Sequence, residues 1–340
     1  MRKKVLPKKA WISLTGVCNN QCKWCYRNGN ETQIFIDYEK VKAKIKTFAE
    51  IGIKTITIIG GEPTLHPNFK EIINEIIKFG MTCIIVTNGR KKIEIPEKWK
   101  DNPLVKYVFS LHGANEEHYF KNTSSKNGFT EMIENVTYLK KEGVKLSVNI
   151  VLGKEMIDHL DIFYKLINKL SIKKLNFTYA VPSVDDENYE AIPLRLVELT
   201  KKIYSDCTKN NIKSSFILSL PWCLLGKDDL KYFIENKLIS FNCPVNYGKG
   251  FLLKENGAIA LCTHLSNYEI LNAAKSEKVL LNAKNFINFW NSKKIKELRK
   301  TVNVYRHEKC VKCDYRFNCK GGCPLWWQRF DFGDIINSHY

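Results

Sequence analysis

Residues 10 to about 205 alternate short β-branched runs with longer amphipathic stretches. The strand-like runs lie at 11–15, 54–59, 82–87, 106–111, 145–151 and 173–179. Stretches at helical spacing lie between them, for example at 37–51, 67–79, 129–143 and 156–169. Six strand–helix repeats predict a parallel α/β sheet, which right-handed crossovers would curl into an open barrel. Counting strands does not separate this barrel from an open doubly wound sheet.

Three cysteines, Cys18, Cys22 and Cys25, come directly after the first of these strands. Their spacing suits three corners of a four-iron cluster and leaves the fourth iron without a protein ligand. An open iron is where a small molecule can bind and receive an electron. Zinc is the main competitor, but a tetrahedral zinc site favours two Cys-x-x-Cys pairs. The carboxyl end of a barrel strand is also where α/β barrels carry out chemistry.

A glycine-rich turn, Gly-Gly-Glu-Pro at 60–63, follows the second strand. Two glycines let the backbone approach a ligand closely, and a glutamate accepts hydrogen bonds from an ammonium group. Polar residues also close later strands, namely Asn88, Ser110, His112 and Asn149. Asn-Gly and His-Gly are ordinary turn dipeptides as well, so a purely structural role stays open for these positions.

These segments resemble the radical S-adenosylmethionine (SAM) superfamily, whose signature is Cys-x3-Cys-x-aromatic-Cys, with Trp24 as the aromatic residue. The resemblance implies a partial (β/α)6 barrel and a [4Fe–4S] cluster on Cys18, Cys22 and Cys25 that binds SAM. It implies cleavage of SAM to a 5′-deoxyadenosyl radical, which abstracts a hydrogen atom from a substrate. The implied SAM-binding residues are Trp24, Gly60, Gly61, Glu62, Pro63, Asn88, Ser110 and Asn149. Many relatives carry Asp-Gly at 112–113, which leaves the role of His112 open.

A second group of cysteines lies in the last third of the chain. Cys243 precedes Gly257 and Cys262, and the run 310–323 has the spacing Cys-x2-Cys-x5-Cys-x3-Cys. A zinc knuckle is one interpretation, because Cys-x-x-Cys suits zinc well. The pattern resembles the SPASM extension of radical SAM enzymes that modify peptides and proteins. That resemblance implies a small Cys-rich α+β domain with two auxiliary iron–sulfur clusters.

The SPASM resemblance divides the cysteines into two ligand sets. The first auxiliary cluster would take Cys243, Cys262, Cys323 and, as a tentative fourth ligand, Cys223; otherwise that site is open. The second would take Cys310, Cys313 and Cys319. The family's final cysteine, downstream of Cys323, is absent from this chain. The alternatives for the second cluster are a ligand such as Asp331, Asp334 or His339, an open iron, fewer irons, or no cluster.

Four segments are expected: a basic amino-terminal segment (1–9), the barrel (10–205), a bridging segment (206–242) and the auxiliary cluster domain (243–340). The first residues lack the apolar stretch of a signal peptide, and no window approaches a membrane span. We therefore expect a cytoplasmic protein with no membrane partner. In a reducing cytosol the twelve cysteines favour metal over disulfides. Cys83 and Cys207 fit core positions instead.

The formal net charge of +19 comes mostly from lysine. An AT-rich coding bias produces abundant asparagine and isoleucine and scarce arginine. Such a bias would explain the net charge without any functional role. The alternative is an acidic partner, such as an acidic peptide or an anionic metabolite. Nucleic acid is not an expected partner, because neither a recognised binding fold nor arginine–aromatic interleaving is evident.

The expected function is modification of a ribosomally synthesised peptide, by a carbon–carbon or carbon–sulfur cross-link or another oxidation. The SPASM-like cysteines carry this expectation, and a flavodoxin or ferredoxin is the expected electron donor. The barrel begins about ten residues from the start, so the amino-terminal peptide-recognition domain of many maturases is not expected. The alternatives are a small-molecule dehydrogenase or epimerase on a sugar or amino-acid derivative, and a sulfatase-maturing enzyme. The intact Gly-Gly-Glu segment argues against a non-catalytic metal protein.

Overall fold

The structure is a computed structural model, and it describes residues 4–27, 32–144, 146–152, 159–181, 193–240, 243, 245, 248–302 and 307–333. Its strands are β1 (Lys9–Ser13), β2 (Thr55–Ile59), β3 (Thr82–Thr87), β4 (Val105–Ser110), β5 (Leu146–Leu152), β6 (Lys174–Tyr179), β7 (Lys213–Ile217), β8 (Ile239–Ser240), β9 (Gly250–Leu253), β10 (Ile259–Ala260) and β11 (Glu269–Leu271).

The helices are α1 (Tyr38–Ile51), α2 (Phe69–Lys78), α3 (Glu116–Thr123), α4 (Gly128–Lys141), α5 (Leu160–Lys169), α6 (Pro193–Lys209), α7 (Lys227–Glu235), α8 (Ala273–Val279), α9 (Ala283–Trp290), α10 (Lys293–Val302), α11 (Lys309–Lys312), α12 (Arg316–Cys319) and α13 (Pro324–Trp327). None of the helices in the described part of the chain combines the length and the apolar character that a membrane crossing requires.

All the strands belong to one sheet, in the order β11-β10-β9-β1-β2-β3-β4-β5-β6-β7-β8. From β1 to β8 each strand pairs in parallel with the next strand along the chain. A doubly wound sheet reverses its strand order at an inner strand, and this series does not. Right-handed crossovers that all advance in one direction lie on one face, so the sheet curls as a partial barrel. The predicted six-repeat parallel sheet is confirmed.

The sheet extends beyond these six strands at both edges. On one side β7 and β8 continue the parallel series. On the other side β9 pairs in parallel with β1, and β10 and β11 complete an antiparallel meander. The first strand begins two residues earlier than the sequence suggests, because Lys9 pairs with both Thr55 and Gly250. Such long-range pairing has no local signal in the sequence.

Aromatic packing joins the carboxy-terminal helices to the barrel. Phe48, on the buried face of α1, meets Phe251 of β9 edge to face, with 5.2 Å between ring centroids. Phe286 and Trp290 of α9 pack on the same Phe251 ring. All four side chains are fully buried. Buried aromatic pairs of this kind each contribute about 0.5–1.5 kcal/mol beyond the area they bury, so this cluster fixes β9 and the turn after it against β1.

Candidate active site and cysteine clusters

A cavity of about 320 Å³ lies at the carboxyl ends of β2 to β6. Its walls carry Cys18, Cys22 and Cys25 together with the glycine-rich turn at 60–62. The volume falls at the lower end of the range for small-molecule sites, roughly 300–1,000 Å³. The two motifs that stand 35 residues or more apart in the sequence therefore form one site.

Hydrogen bonds from the barrel fix the segment that carries these cysteines. The Gln21 amide donates to the Thr123 carbonyl at the end of α3 (2.8 Å). The Asn20 side-chain oxygen accepts from Ser125 Oγ (2.8 Å) and from Arg90 Nη1 (3.1 Å). Asn20 also donates its backbone N–H to Cys18 Sγ at 3.4 Å. The protein thus orients this loop through its own contacts and supplies a donor to one sulfur.

The three thiols are close enough to affect one another. Burial raises the pKa of Cys22, and the neighbouring Cys25 and Cys18 raise it further. Three thiolates in this site therefore need a cationic group among them. Among the described residues no three Cys, His, Asp or Glu side chains converge on a position for a single metal ion. Since zinc holds its thiolate sulfurs only about 3.8 Å apart, the donor set fits a multi-iron cluster better.

The glycines of the 60–62 turn are required by contacts with the cysteine segment. A Cβ on Gly60, whose φ is +153°, would lie 2.6 Å from the Thr15 carbonyl oxygen. A Cβ on Gly61 would lie 2.2 Å from the Val17 carbonyl oxygen. The Gly61 amide donates to the first of these carbonyls at 2.7 Å. The sequence suggests glycines for approach to a ligand, whereas the nearest atoms belong to the protein's own backbone.

The Glu62 carboxylate is fully buried and receives four protein donors. Its Oε1 accepts from the amide and the hydroxyl of Thr64 (3.1 and 2.6 Å) and from Thr87 Oγ1 (2.7 Å). Its Oε2 accepts from the Asn88 amide at 2.8 Å. Burial nevertheless raises the pKa of this carboxyl above its ordinary value. A carboxylate oxygen has about two acceptor positions, so the donors on Oε1 fix the turn against the end of β3, while Oε2, with one donor, keeps a position for an ammonium group.

Six of the eight residues implied in SAM binding line the cavity: Trp24, Gly60, Gly61, Glu62, Asn88 and Ser110. Pro63 is buried at the start of a 3-10 turn. Asn149 lies behind the wall, where its Nδ2 donates to Thr178 Oγ1 at 3.3 Å. Thr178 itself lines the cavity, together with Val151, Tyr179, Ala180 and Val181. Sequence reasoning missed these last residues, because the ends of β5 and β6 carry no distinctive motif.

A buried ion pair that the sequence does not reveal lies beside the cysteine loop. Arg27 donates Nη2 to Glu255 Oε1 at 2.7 Å and Nη1 to Oε2 at 3.3 Å. The same carboxylate accepts from Ser13 Oγ (2.7 Å) and Thr32 Oγ1 (3.0 Å). Burial alone would raise the Glu255 pKa, but the hydrogen bonds and charge of Arg27, with Ser13, lower it to about 2. The turn between β9 and β10 thereby holds the cysteine loop through Arg27.

Two histidines line the cavity, the buried His112 from the barrel and the half-buried His264 from the carboxy-terminal region. Among the described residues, neither His112 Nδ1 nor His264 Nδ1 has a hydrogen-bond partner. Burial lowers the pKa of each ring to about 4. His112 lies 5.7 Å from the Trp24 ring and His264 lies 6.3 Å from the Tyr26 ring, between centroids. Each ring is therefore a neutral imidazole at neutral pH.

The carboxy-terminal cysteines lie outside this cavity. Cys223 lines a second, smaller cavity together with Cys310, Cys313 and Cys319, whereas the sequence groups it tentatively with Cys243, Cys262 and Cys323. The pKa of Cys262 rises to about 12 through burial and the neighbouring Cys243, so these two remain close together. Asp331 is exposed and accepts from the Gly333 amide, while Asp334 and His339 lie outside the described residues.

Residues 12–167 match the family model described as the radical SAM superfamily. This part of the chain is therefore similar to radical SAM proteins. A probable GTP 3′,8-cyclase of Metallosphaera sedula is 28% identical over 206 residues, which are 59% of this chain and 65% of that protein. The GTP 3′,8-cyclase of Aquifex aeolicus is 31% identical over 154 residues, 43% of this chain and 48% of that one. The chain thus spans about half to two thirds of the length of these curated relatives.

Solved structures share the fold over almost the whole chain. Streptococcus suis SuiB bound to precursor peptide SuiA matches with a TM-score of 0.73 and 16% identity, over 96% of this chain and 74% of that one. Native anSMEcpe with bound AdoMet matches with a TM-score of 0.68 and 18% identity, over 94% and 90%. Both matches extend well beyond residues 12–167, so they also cover most of the carboxy-terminal region.

Proposed function

We propose that this chain is a radical SAM enzyme that cleaves SAM reductively and uses the 5′-deoxyadenosyl radical to abstract a hydrogen atom from a peptide. The observation that supports it best is the shared cavity: three cysteines without a fourth, beside a Gly-Gly-Glu turn, at the mouth of a partial barrel. A [4Fe–4S] cluster bound there supplies one electron to the sulfonium of SAM, which breaks the C5′–S bond.

The protein's own residues would bind SAM and keep it aligned. The backbone of the 60–62 turn, held by the Glu62 carboxylate, is the element suited to the amino group. Trp24 and Ser110 line the same cavity and offer an aromatic face and a hydroxyl for the nucleoside. Buried walls exclude water and competing hydrogen donors, which a reactive carbon radical requires.

The cavity wall favours a substrate without phosphates. The far side is largely apolar, with Val86, Val151, Ala180 and Val181 among its lining residues. Arg27 is the one cation among the described residues that line it, and its charge is compensated by Glu255. A nucleoside triphosphate such as GTP needs several cationic partners. This observation, and the fold shared with SuiB through the carboxy-terminal region, support a peptide side chain over the substrate of the cyclase relatives.

An acidic electron donor such as a flavodoxin or ferredoxin suits a chain of net charge +19, because opposite charge speeds encounter. Auxiliary clusters in the carboxy-terminal region would carry the second electron away in a net two-electron oxidation.

The first experiment measures SAM cleavage without any substrate. We expect anaerobically reconstituted protein, reduced with dithionite, to form 5′-deoxyadenosine and methionine from SAM. Cys22→Ala removes one cluster ligand and is expected to lower this rate at least about 1,000-fold. Cys207→Ala is the matched control, since Cys207 is a fully buried cysteine of α6. Equal rates in the Cys22 variant and the wild type would refute the proposed activity.

The second experiment tests the substrate class. A short peptide encoded beside the gene is co-expressed with the enzyme anaerobically in deuterated water, and its intact mass is measured. Loss of hydrogens would establish a cross-link or dehydrogenation, and one incorporated deuteron would indicate epimerisation. An unchanged peptide, with 5′-deoxyadenosine still forming, would reject that peptide and direct the search to metabolites.

A further inference from the structure

Four cysteines from two distant parts of the chain line one small cavity. Cys310, Cys313 and Cys319 come from the short helices α11 and α12 and the link between them, and Cys223 comes from a 3-10 turn before α7. All four cysteines therefore border the same space of about 30 Å³.

Close packing fixes the Cys223 turn against the segment that carries Cys319. The Trp222 amide donates to Cys319 Sγ at 3.3 Å, and the Cys323 amide donates to the Ser219 carbonyl at 2.7 Å. A Cβ on Gly322 would lie only 2.7 Å from that same carbonyl oxygen. Residues 219–223 therefore have little freedom to move away from residues 319–323.

The backbone after Cys319 makes a tight turn. Lys320, Gly321 and Gly322 have φ values of +52°, +77° and +79°, three consecutive residues in the left-handed region. The Gly322 amide donates to the Cys319 carbonyl at 2.9 Å and closes this turn. The donor to the Cys319 sulfur is the Trp222 amide, and N–H donors of this kind stabilise the clusters that thiolates hold.

We infer that Cys223 is the fourth thiolate ligand of an iron–sulfur cluster whose other ligands are Cys310, Cys313 and Cys319. Cys223 thus supplies a fourth thiolate from upstream of the run 310–319. This inference concerns a metal site outside the SAM cavity, so it stands or falls independently of the proposed reaction.

The surroundings suit a cluster of four thiolates. Arg316 and Lys320 line the cavity and bring positive charge to a group whose four thiolates make it anionic. Leu230, Trp222 and Pro221 form its apolar side, which limits water access and tunes the potential. A single zinc ion would draw four sulfurs together at a short spacing. Within the described ranges no three candidate ligands converge in that way.

The inference is tested by metal content and spectroscopy, without SAM. The background is a variant in which Cys18, Cys22 and Cys25 are all replaced by alanine, so that only carboxy-terminal clusters remain. After anaerobic reconstitution, iron and acid-labile sulfide are counted per chain and the reduced protein is examined by electron paramagnetic resonance. We expect Cys223→Ala and Cys313→Ala to alter the same signal and to lower iron by up to about four per chain.

Three further variants keep the result decisive. Cys243→Ala, in the other ligand set, should leave that signal intact, and so should Cys207→Ala. Cys223→Ser retains an oxygen ligand, so it should keep the cluster with shifted g values even if Cys223→Ala fails to fold. The inference is overturned if Cys223→Ala has the same iron content and the same resonance signal as Cys207→Ala. It is also overturned if Cys223→Ala alters the signal that depends on Cys243. Two further results would overturn it: no signal that depends on Cys313, or zinc in place of iron at this site.

Discussion

The two cysteine regions of this molecule are built in opposite ways. At the cavity beside Cys18, Cys22 and Cys25 the barrel is complete without a ligand, because the loop that carries these cysteines is held by the end of α3 and by Glu255. In the carboxy-terminal region the helices α11, α12 and α13 have four residues each. Helices so short are not stable by themselves. In the first region the fold positions the cysteines. In the second region we expect bound clusters to hold the short helices in place.

The largest expected effect separates the two regions directly. We expect removal of all clusters by a chelator to lower hydrogen-exchange protection of residues 307–333 at least about 100-fold, because metal-binding free energy is folding free energy in such regions. Protection in β1 to β6 should change less than about threefold. Hydrogen–deuterium exchange with mass spectrometry measures both on one sample. Unchanged protection across 307–333 would remove the contrast between the regions.

The next prediction concerns whether backbone contacts with the glycine-rich turn position the cysteine loop. Gly61→Ala places a Cβ 2.2 Å from the Val17 carbonyl oxygen, so the cysteine loop or the turn has to move. A shift of about 1 Å at such a site costs on the order of 100-fold in rate, and we expect that loss in 5′-deoxyadenosine formation. Gly80→Ala is the control: its Cβ meets nothing within 4 Å, and the strain of alanine at a φ of +70° falls in the turn before β3, at the opposite end of that strand from the cavity. Equal rates in the two variants would show that the loop adapts.

Much of this arrangement can be predicted from local sequence, and the parts that cannot share a physical cause. The strand–helix repeats predict the barrel, and the cysteine motif predicts which end of it carries the site. Both are possible because periodicity and spacing are local signals. Glu255 gives no such signal, because in the sequence it is one glutamate in a polar turn. Only the pairing of β9 with β1 brings it beside the cysteine loop. The grouping of Cys223 likewise depends on packing between residues about 100 positions apart. Side chains recruited by tertiary contacts are the ones that sequence reasoning misses or leaves open.

The Arg27–Glu255 ion pair offers a test of that tertiary link. Glu255→Ala leaves a buried guanidinium without its carboxylate, which typically costs about 3–5 kcal/mol. The control is Glu269→Ala, which breaks the more exposed pair with Lys254 (2.8 Å) and should cost at most about 1 kcal/mol. Thermal unfolding at one scan rate compares them. If both variants lose the same stability, the turn between β9 and β10 does not hold the cysteine loop.

The smallest expected effect is a pH dependence of stability that comes from His112, which lines the cavity beside the cysteine loop. Burial lowers the pKa of His112 from its ordinary value of 6.5 to about 4, because the charged ring loses its hydration. The unfolded chain takes up a proton there below pH 6.5 and the native protein does not, so stability is full above that pH and falls as the pH drops toward 4. Between pH 7.5 and 5.5 this one group should cost about 1.3 kcal/mol, or about 2 °C in Tm for a chain of this length. His112→Asn removes the titrating group, so its Tm should fall correspondingly less over that interval. An equal fall in both proteins would mean that the ring is charged in the native cavity, which would then present a cation to its ligand in place of a neutral imidazole.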